Sequence, residues 1–218
     1  RPDIFIPIAE ESGQINNIGS WVLETVSQQA KHWAENVGEC PSIAINISSK
    51  QLKNDEFRLQ FGEMLETYNI PVDKVELELT ETGVMEDPEK CLEELTKLKE
   101  LGVSISIDDF GTGYSSLDYL RRLPLDILKI DQSFTRGIGE SDQDEEIVRV
   151  MIRMAHAMGL KVICEGVETV PQLRFLQEHD CDYIQGYLFS KPRLPEDITQ
   201  MIRGEVDGSY NIMNVEEG

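Results

Sequence analysis

Six short runs of β-branched and apolar residues, each followed by a longer stretch with helical spacing, constrain this chain more than any other feature. The runs are 43–47 (IAINI), 75–80 (VELELT), 103–107 (VSISI), 127–130 (ILKI), 161–164 (KVIC) and 183–188 (YIQGYL). Their length and composition read as strands. Segments 17–36, 50–68, 89–101 and 171–179 read as amphipathic helices, with Pro88 and Pro171 suited to helix starts. After Ser141, the residues Ile147, Met151, Met154 and Met158 recur at three or four, which gives one apolar face. Ser141 with Asp144 resembles a capping box, and Gly159 suits the end of that helix. Strand–helix alternation implies parallel strands joined by right-handed crossovers. An open doubly wound sheet and a (β/α) barrel both satisfy the pattern. No G-x-G-x-x-G turn follows a strand, which counts against the dinucleotide-binding open sheet. Six strands are two fewer than the roughly eight of a closed TIM-like barrel.

Charge and cysteine usage narrow the chemistry. The 218 residues hold 41 Asp+Glu against 20 Lys+Arg, a formal net charge of −21. Such a surface repels phosphate backbones and anionic lipid, so DNA, RNA and membrane-surface partners are not expected. An anionic small ligand is admissible where cations offset the repulsion. Cys40, Cys91, Cys164 and Cys181 form no Cys-x-x-Cys pair. They read as free thiols of a reducing cytoplasm rather than as a zinc site or disulfide framework. His32, His156 and His179 lie singly, so any metal would be held through oxygen, which favours Mg²⁺, Mn²⁺ or Ca²⁺ over zinc. No run of about 18 apolar residues is present to span a bilayer. The opening RPDIFIPIAEE has neither the basic start nor the apolar stretch of a signal peptide.

Buried parallel strands ordinarily read as continuous apolar runs, yet each run here carries a polar residue within it or at its end. These are Asn46, Glu78 (with Glu81 beyond it), Asp108 and Asp109, Lys129, Glu165 and Gln185. Taken singly, each could be a solvated strand end or turn. Recurring in all six runs, they predict a shared polar site at the strand tips, where barrel active sites are built. Carboxylates crowded there would repel and their pKa values would rise unless a cation were present. Two cations roughly 3.5–4 Å apart are the usual arrangement for phosphodiester hydrolysis. Adjacent residues on a strand point to opposite faces, so Asp108 and Asp109 can act together only where the strand breaks. The run 110–113 (FGTG) is expected to supply that break.

The motifs 46–48 (NIS), 78–81 (ELTE), 108–117 (DDFGTGYSSL), 128–131 (LKID), 165–169 (EGVET) and 185–189 (QGYLF), with 5–10 (FIPIAE) near the start, resemble the signature set of EAL domains, bacterial phosphodiesterases of cyclic di-GMP. The resemblance covers about residues 2–203. It implies a modified (β/α) barrel with a two-metal site of Mg²⁺ or Mn²⁺, and hydrolysis of cyclic di-GMP to linear pGpG. By the same resemblance Asn46, Glu78 and Asp108 are metal ligands, with Asp108 bridging, and Asp109 is a ligand of the second metal. Glu165 holds or activates the attacking water, Lys129 sits beside that water, and Gln185 completes the substrate pocket. Glu81 anchors the segment from Asp109 to Ser116.

The chain departs from the family pattern in one respect. The Glu-Ala-Leu block and the stretch carrying it are absent from residues 1–218. The expectation is a truncated piece of a larger protein: an incomplete barrel of about six strands over residues 1–203, then an acidic tail or linker at 204–218. Weak or absent turnover follows, as does association of two copies through an open sheet edge. The parent would carry sensory or GGDEF-type domains and could be membrane-anchored. A receptor that binds cyclic di-GMP without cleaving it, or a regulatory interaction domain, are the alternatives. The presence of Glu81, Asp108, Asp109 and Glu165 argues for catalysis.

Overall fold

The structure, a computed structural model, describes residues 1–38, 40–113 and 117–204. Tyr114, Ser115 and Ser116 of the signature motif, and all of the expected acidic tail beyond Gly204, lie outside the described residues. The chain divides into two compact units, Arg1–Ile127 and a second beginning at Leu128.

The first unit runs α1 (Pro2–Glu11), α2 (Ile15–Asn36), β1 (Ile43–Asn46), α3 (Ser49–Leu52), α4 (Asp55–Tyr68), a 3₁₀ turn (Val72–Lys74), β2 (Val75–Thr80), α5 (Glu81–Met85), α6 (Pro88–Lys99), β3 (Ser104–Phe110) and α7 (Leu117–Arg122). Strands β1, β2 and β3 are parallel, with Ile45 opposite Leu77 and Leu77 opposite Ile105. Period-2 alternation separates two faces. One carries Ile45, Val75, Leu77, Leu79, Ile105 and Ile107, all buried. The other carries Asn46, Glu78, Thr80, Ser106 and Asp108. Leu23 and Ala30 of α2, and Phe61 and Leu65 of α4, meet Ile45 and Val75 around an apolar pocket. The Asp126 carboxylate accepts from Lys99 Nζ at 2.7 Å and from the Ile105 N–H at 2.8 Å, tying α6 to β3. The expected helix over 50–68 is two helices. Asn54 accepts from the Glu56 N–H at 3.0 Å and starts α4 afresh, because its side chain competes with helix continuation.

The second unit opens with β4 (Ile127–Ile130) and continues through α8 (Gln132–Thr135), α9 (Asp142–Ala157), β5 (Lys161–Cys164), α10 (Val170–Glu178), β6 (Tyr183–Ile184) and α11 (Pro195–Ile202). Strand β5 lies between β4 and β6 and pairs with β6 in parallel. Ser141 caps α9 by accepting from the Asp144 N–H at 3.2 Å. The buried stripe of α9 is Val148, Met151, Ile152 and Ala155; Ile147, Met154 and Met158 are half-buried. The stripe is rotated from the expected one, with Met151 shared by both. Strand β6 is shorter than the expected 183–188. Beyond Ile184 the backbone turns to bond Cys164 and Val167, and a side chain at Gly186 would meet the Val167 carbonyl at 2.1 Å. Among the described residues no helix is long and apolar enough to cross a membrane.

Asp182 joins three elements of this unit. Its carboxylate accepts from the Val162 N–H at 2.9 Å and pairs with His156 Nε2 at 2.8 Å. Burial pushes its carboxyl up, but the His156 and Val162 hydrogen bonds outweigh burial and hold it below the usual carboxylate range. A depressed folded pKa gives stability that is present above the unfolded value of about 3.9 and lost as pH falls through the folded value. Asp182→Asn is expected to cost about 1–2 kcal/mol at neutral pH. Urea unfolding at pH 7 and near pH 3 checks this: the gap between Asp182→Asn and wild type narrows in acid.

Candidate active site

The first unit holds five of the residues singled out from the sequence, three of them, Asn46, Glu78 and Asp108, on the polar face of its sheet. Asn46 stands opposite Glu78, Glu78 opposite Ser106, and Thr80 opposite Asp108. In-register parallel partners share a face, so Asn46, Glu78, Ser106 and Asp108 form one polar patch rising toward the strand tips. Glu78 is buried, Asp108 half-buried and Asn46 exposed. Ser106 was not singled out by sequence reasoning. It is fully buried beside Glu78, and its Oγ has no hydrogen-bond partner among the described residues. The serine pair alternating with isoleucines in 103–107 reads as ordinary strand patterning and does not mark it.

Asp108 and Asp109 act on the same side through a local backbone device. Strand β3 runs on through both, to Phe110, rather than ending before them. Asp109 itself takes a left-handed conformation, φ 55°, which Asp tolerates better than most residues. The break thus falls at Asp109, one residue earlier than the Phe-Gly-Thr-Gly run suggests. One carboxylate oxygen of Asp108 lies within 4.8 Å of one from Asp109, close enough for one hard cation to be shared by both. The second Asp108 link is to the chain itself, its Oδ1 accepting from the Asp109 N–H at 3.0 Å.

Glu81 holds the turn beyond. It is buried, 2 % exposed, at the start of α5. Its Oε2 accepts from the Gly111 N–H at 2.8 Å and from the Gly113 N–H at 3.4 Å. Gly111 is left-handed, φ 98°, and a side chain at Gly113 would meet Glu81 Oε1 at 3.0 Å. Both glycines are therefore needed for the approach.

The second unit gathers the remaining three. Lys129 on β4 is buried, its side chain 3 % exposed, and its Nζ lies 2.7 Å from Glu165 Oε1. The pair is aligned by backbone, the Glu165 N–H donating to Ile130 O at 3.1 Å. Burying a lysine is tolerable only with a close counter-charge. Gln185 is exposed, and its backbone is stitched to the same strand end: its N–H donates to Cys164 O at 2.9 Å and its carbonyl accepts from Val167 N at 3.1 Å.

The donor set fits a hard divalent ion. Carboxylates of Glu78, Asp108 and Asp109, with the amide of Asn46, are oxygen donors of the kind Mg²⁺ and Mn²⁺ take. The close Asp108–Asp109 approach, with its mutual repulsion, is what such a charge relieves.

Residues 1–192 match the model of the EAL domain. The chain is 44% identical over 191 residues to a protein named cyclic di-GMP phosphodiesterase NbdA from Pseudomonas aeruginosa, covering 88% of this chain and 24% of that protein. It is 41% identical over 201 residues to the signaling protein YkoW of Bacillus subtilis, covering 92% of this chain and 25% of YkoW. The chain therefore spans about a quarter of the length of these curated relatives. The solved structure of the PaMucR phosphodiesterase in complex with c-di-GMP superposes with a TM-score of 0.85 at 37% identity, covering 91% of this chain and 80% of that one. The EAL domain of Mycobacterium smegmatis DcpA gives 0.82 at 39% identity, covering 87% and 86%. The fold class is thus the α/β, TIM-like (β/α) barrel of EAL domains, with six strands among the described residues. The match over residues 1–192, together with relatives above 40% identity, establishes that this chain belongs to the EAL-domain family.

Proposed function

We propose that this chain is the hydrolytic domain of a cyclic di-GMP phosphodiesterase, cleaving one phosphodiester of cyclic di-GMP to give linear pGpG. The observation that carries the reading is the Asp108–Asp109 carboxylate pair, set at a polar strand tip beneath a turn that Glu81 holds. The names of NbdA and of PaMucR support the choice of substrate.

Asn46, Glu78, Asp108 and Asp109 would hold Mg²⁺ or Mn²⁺. A divalent ion bound there supplies Lewis-acid polarisation of the phosphoryl oxygen and a lowered pKa for water. Glu165 orients the attacking water and accepts its proton. Lys129, its Nζ 2.7 Å from Glu165 Oε1, holds that carboxylate in place and sets a fixed positive charge against the charge that develops on phosphorus oxygens. Gln185 offers an amide to the substrate. Glu81 fixes Asp109 by fixing the turn that follows it. Gathering the carboxylates costs repulsion in the free protein, which the ions and the guanine dinucleotide's binding energy offset.

The family's Glu-Ala-Leu glutamate is not among residues 1–218, and turnover by these residues alone is proposed to be low. Appending the corresponding N-terminal stretch of a relative is expected to raise it. In that extended protein Glu165→Gln lowers kcat by about 10²–10⁴-fold, the span of general acid–base contributions, while calorimetry still registers cyclic di-GMP binding. Turnover retained in Glu165→Gln places the base elsewhere. Binding without product in the unsubstituted extended protein makes the domain a receptor, and neither binding nor product makes it an interaction module.

Glu81→Ala removes the acceptor of two backbone N–H groups without touching Asp108 or Asp109. Its expected effect is a rise in the Mn²⁺ concentration needed for half-maximal turnover, by about tenfold as for residues that orient metal ligands. An unchanged metal requirement removes Glu81 from the positioning of Asp109.

A further inference from the structure

Two buried side-chain atoms on the polar face of the first unit's sheet, Ser106 Oγ and Glu76 Oε1, have no hydrogen-bond partner among the described residues. Ser106 is 0 % exposed, and its neighbours Ile105 and Ile107 are buried on the opposite face of β3. The register sets Ser104 opposite Glu76 and Ser106 opposite Glu78. Glu76 and Glu78 therefore occupy successive levels of one face, with Ser106 at the level of Glu78. Asp108 lies on the same face, one level nearer the strand tips. An unpaired buried hydroxyl is destabilising, and such a group in a native core calls for a reason. Alanine would fill nearly the same space without the unpaired oxygen.

We infer that Ser106 is a positioning residue of the cation site: its hydroxyl donates to the Glu78 carboxylate when that carboxylate gives an oxygen to a divalent ion. The inference rests on the reading of Asn46, Glu78, Asp108 and Asp109 as ligands, and adds to it a residue that touches no ion.

A carboxylate that gives one oxygen to a cation leaves the other in need of a donor, and the groups that supply such donors orient the ligand. At the level of Glu78 the register places Asn46 on β1 and Ser106 on β3. Asn46 is exposed and is itself read as a ligand. Ser106 has a hydroxyl enclosed by protein and without a partner among the described residues. Neighbouring strands lie about 4.8 Å apart, so a hydroxyl on the Ser106 β-carbon reaches the Glu78 carboxylate by rotation about side-chain bonds alone.

Ser106 has a single proton to donate, and two carboxylates are near it. Glu78 is directly opposite, whereas Glu76 is diagonal and one level further from the tips. The unpaired state of Glu76 Oε1 shows that the hydroxyl is not committed there. Its proton is thus held in reserve beside the carboxylate whose direction matters to the ion.

Calorimetric titration of the 218-residue chain with Mn²⁺ alone, beside urea unfolding without the ion, tests the inference. Ser106→Ala is expected to weaken Mn²⁺ binding by ~10–100-fold, the range for groups that orient metal ligands. The metal-free urea midpoint is expected to stay where it is or to rise, because an unpaired hydroxyl has been removed. In a Glu78→Gln background the same substitution makes no further difference, since it acts through the carboxylate. A Ser106→Ala affinity equal to that of the wild type overturns the inference and leaves the cation site standing. Weaker binding together with a lowered urea midpoint assigns the effect to packing and overturns it too, as does a loss equally large in the Glu78→Gln background. Absence of Mn²⁺ binding by the wild type removes the cation site and the inference with it.

Discussion

Ser48, Thr80, Asp131 and Thr169 accept hydrogen bonds from the N–H groups of Gln51, Gly83, Ser133 and Gln172, and each starts the helix that follows its strand. Each cap lies two to four residues beyond a polar residue singled out for chemistry: Asn46, Glu78, Lys129 and Glu165. The caps decide where each strand must stop and therefore at what height its last inward side chain is presented. Each contributes about 1 kcal/mol, which is modest, but their positional effect exceeds their energetic one. A one-residue slip in the pairing of such a strand would turn its polar side chain to the apolar face. The signature motifs are read best as pairs, one residue for the site and one to end the strand beneath it.

The same alternation explains how an acidic site coexists with a stable sheet. Ile45, Leu77 and Ile105 carry the packing on one face of the first unit's sheet, so Asn46, Glu78 and Asp108 are free to be polar on the other. What the sheet cannot do by alternation is aim two consecutive aspartates together. The left-handed residue at Asp109 does that, and the Glu81 bonds to Gly111 and Gly113 hold the turn beyond it. In the second unit the corresponding economy is the ion pair of Lys129 with Glu165, where a buried cation is tolerated because its partner sits 2.7 Å away.

Strand positions were legible because period-2 patterning and β-branched composition are local signals; β2, β4 and β5 occupy the expected residues. The expected strand at 183–188 failed after Ile184 because the close packing of Gly186 on Val167, a tertiary contact, takes the backbone out of the ladder. The single helix expected over 50–68 failed for the opposite reason, a local capping side chain at Asn54 inside an otherwise helical pattern. The polar residues at the strand tips were visible as departures from apolar runs. Ser106 was not, because a serine within a strand carries no chemical signature until its burial beside Glu78 is known.

The claim on which the account turns is that Asp108 and Asp109 together hold a divalent cation. Titration of the 218-residue chain with Mn²⁺, followed by the loss of the free-ion electron paramagnetic resonance signal, tests it without recourse to turnover. The account predicts saturable binding that weakens at least about tenfold, or roughly 1.4 kcal/mol, in both Asp108→Ala and Asp109→Ala, and that Asp182→Asn leaves unchanged. Equal Mn²⁺ affinity in the wild type and the two alanine variants would contradict it.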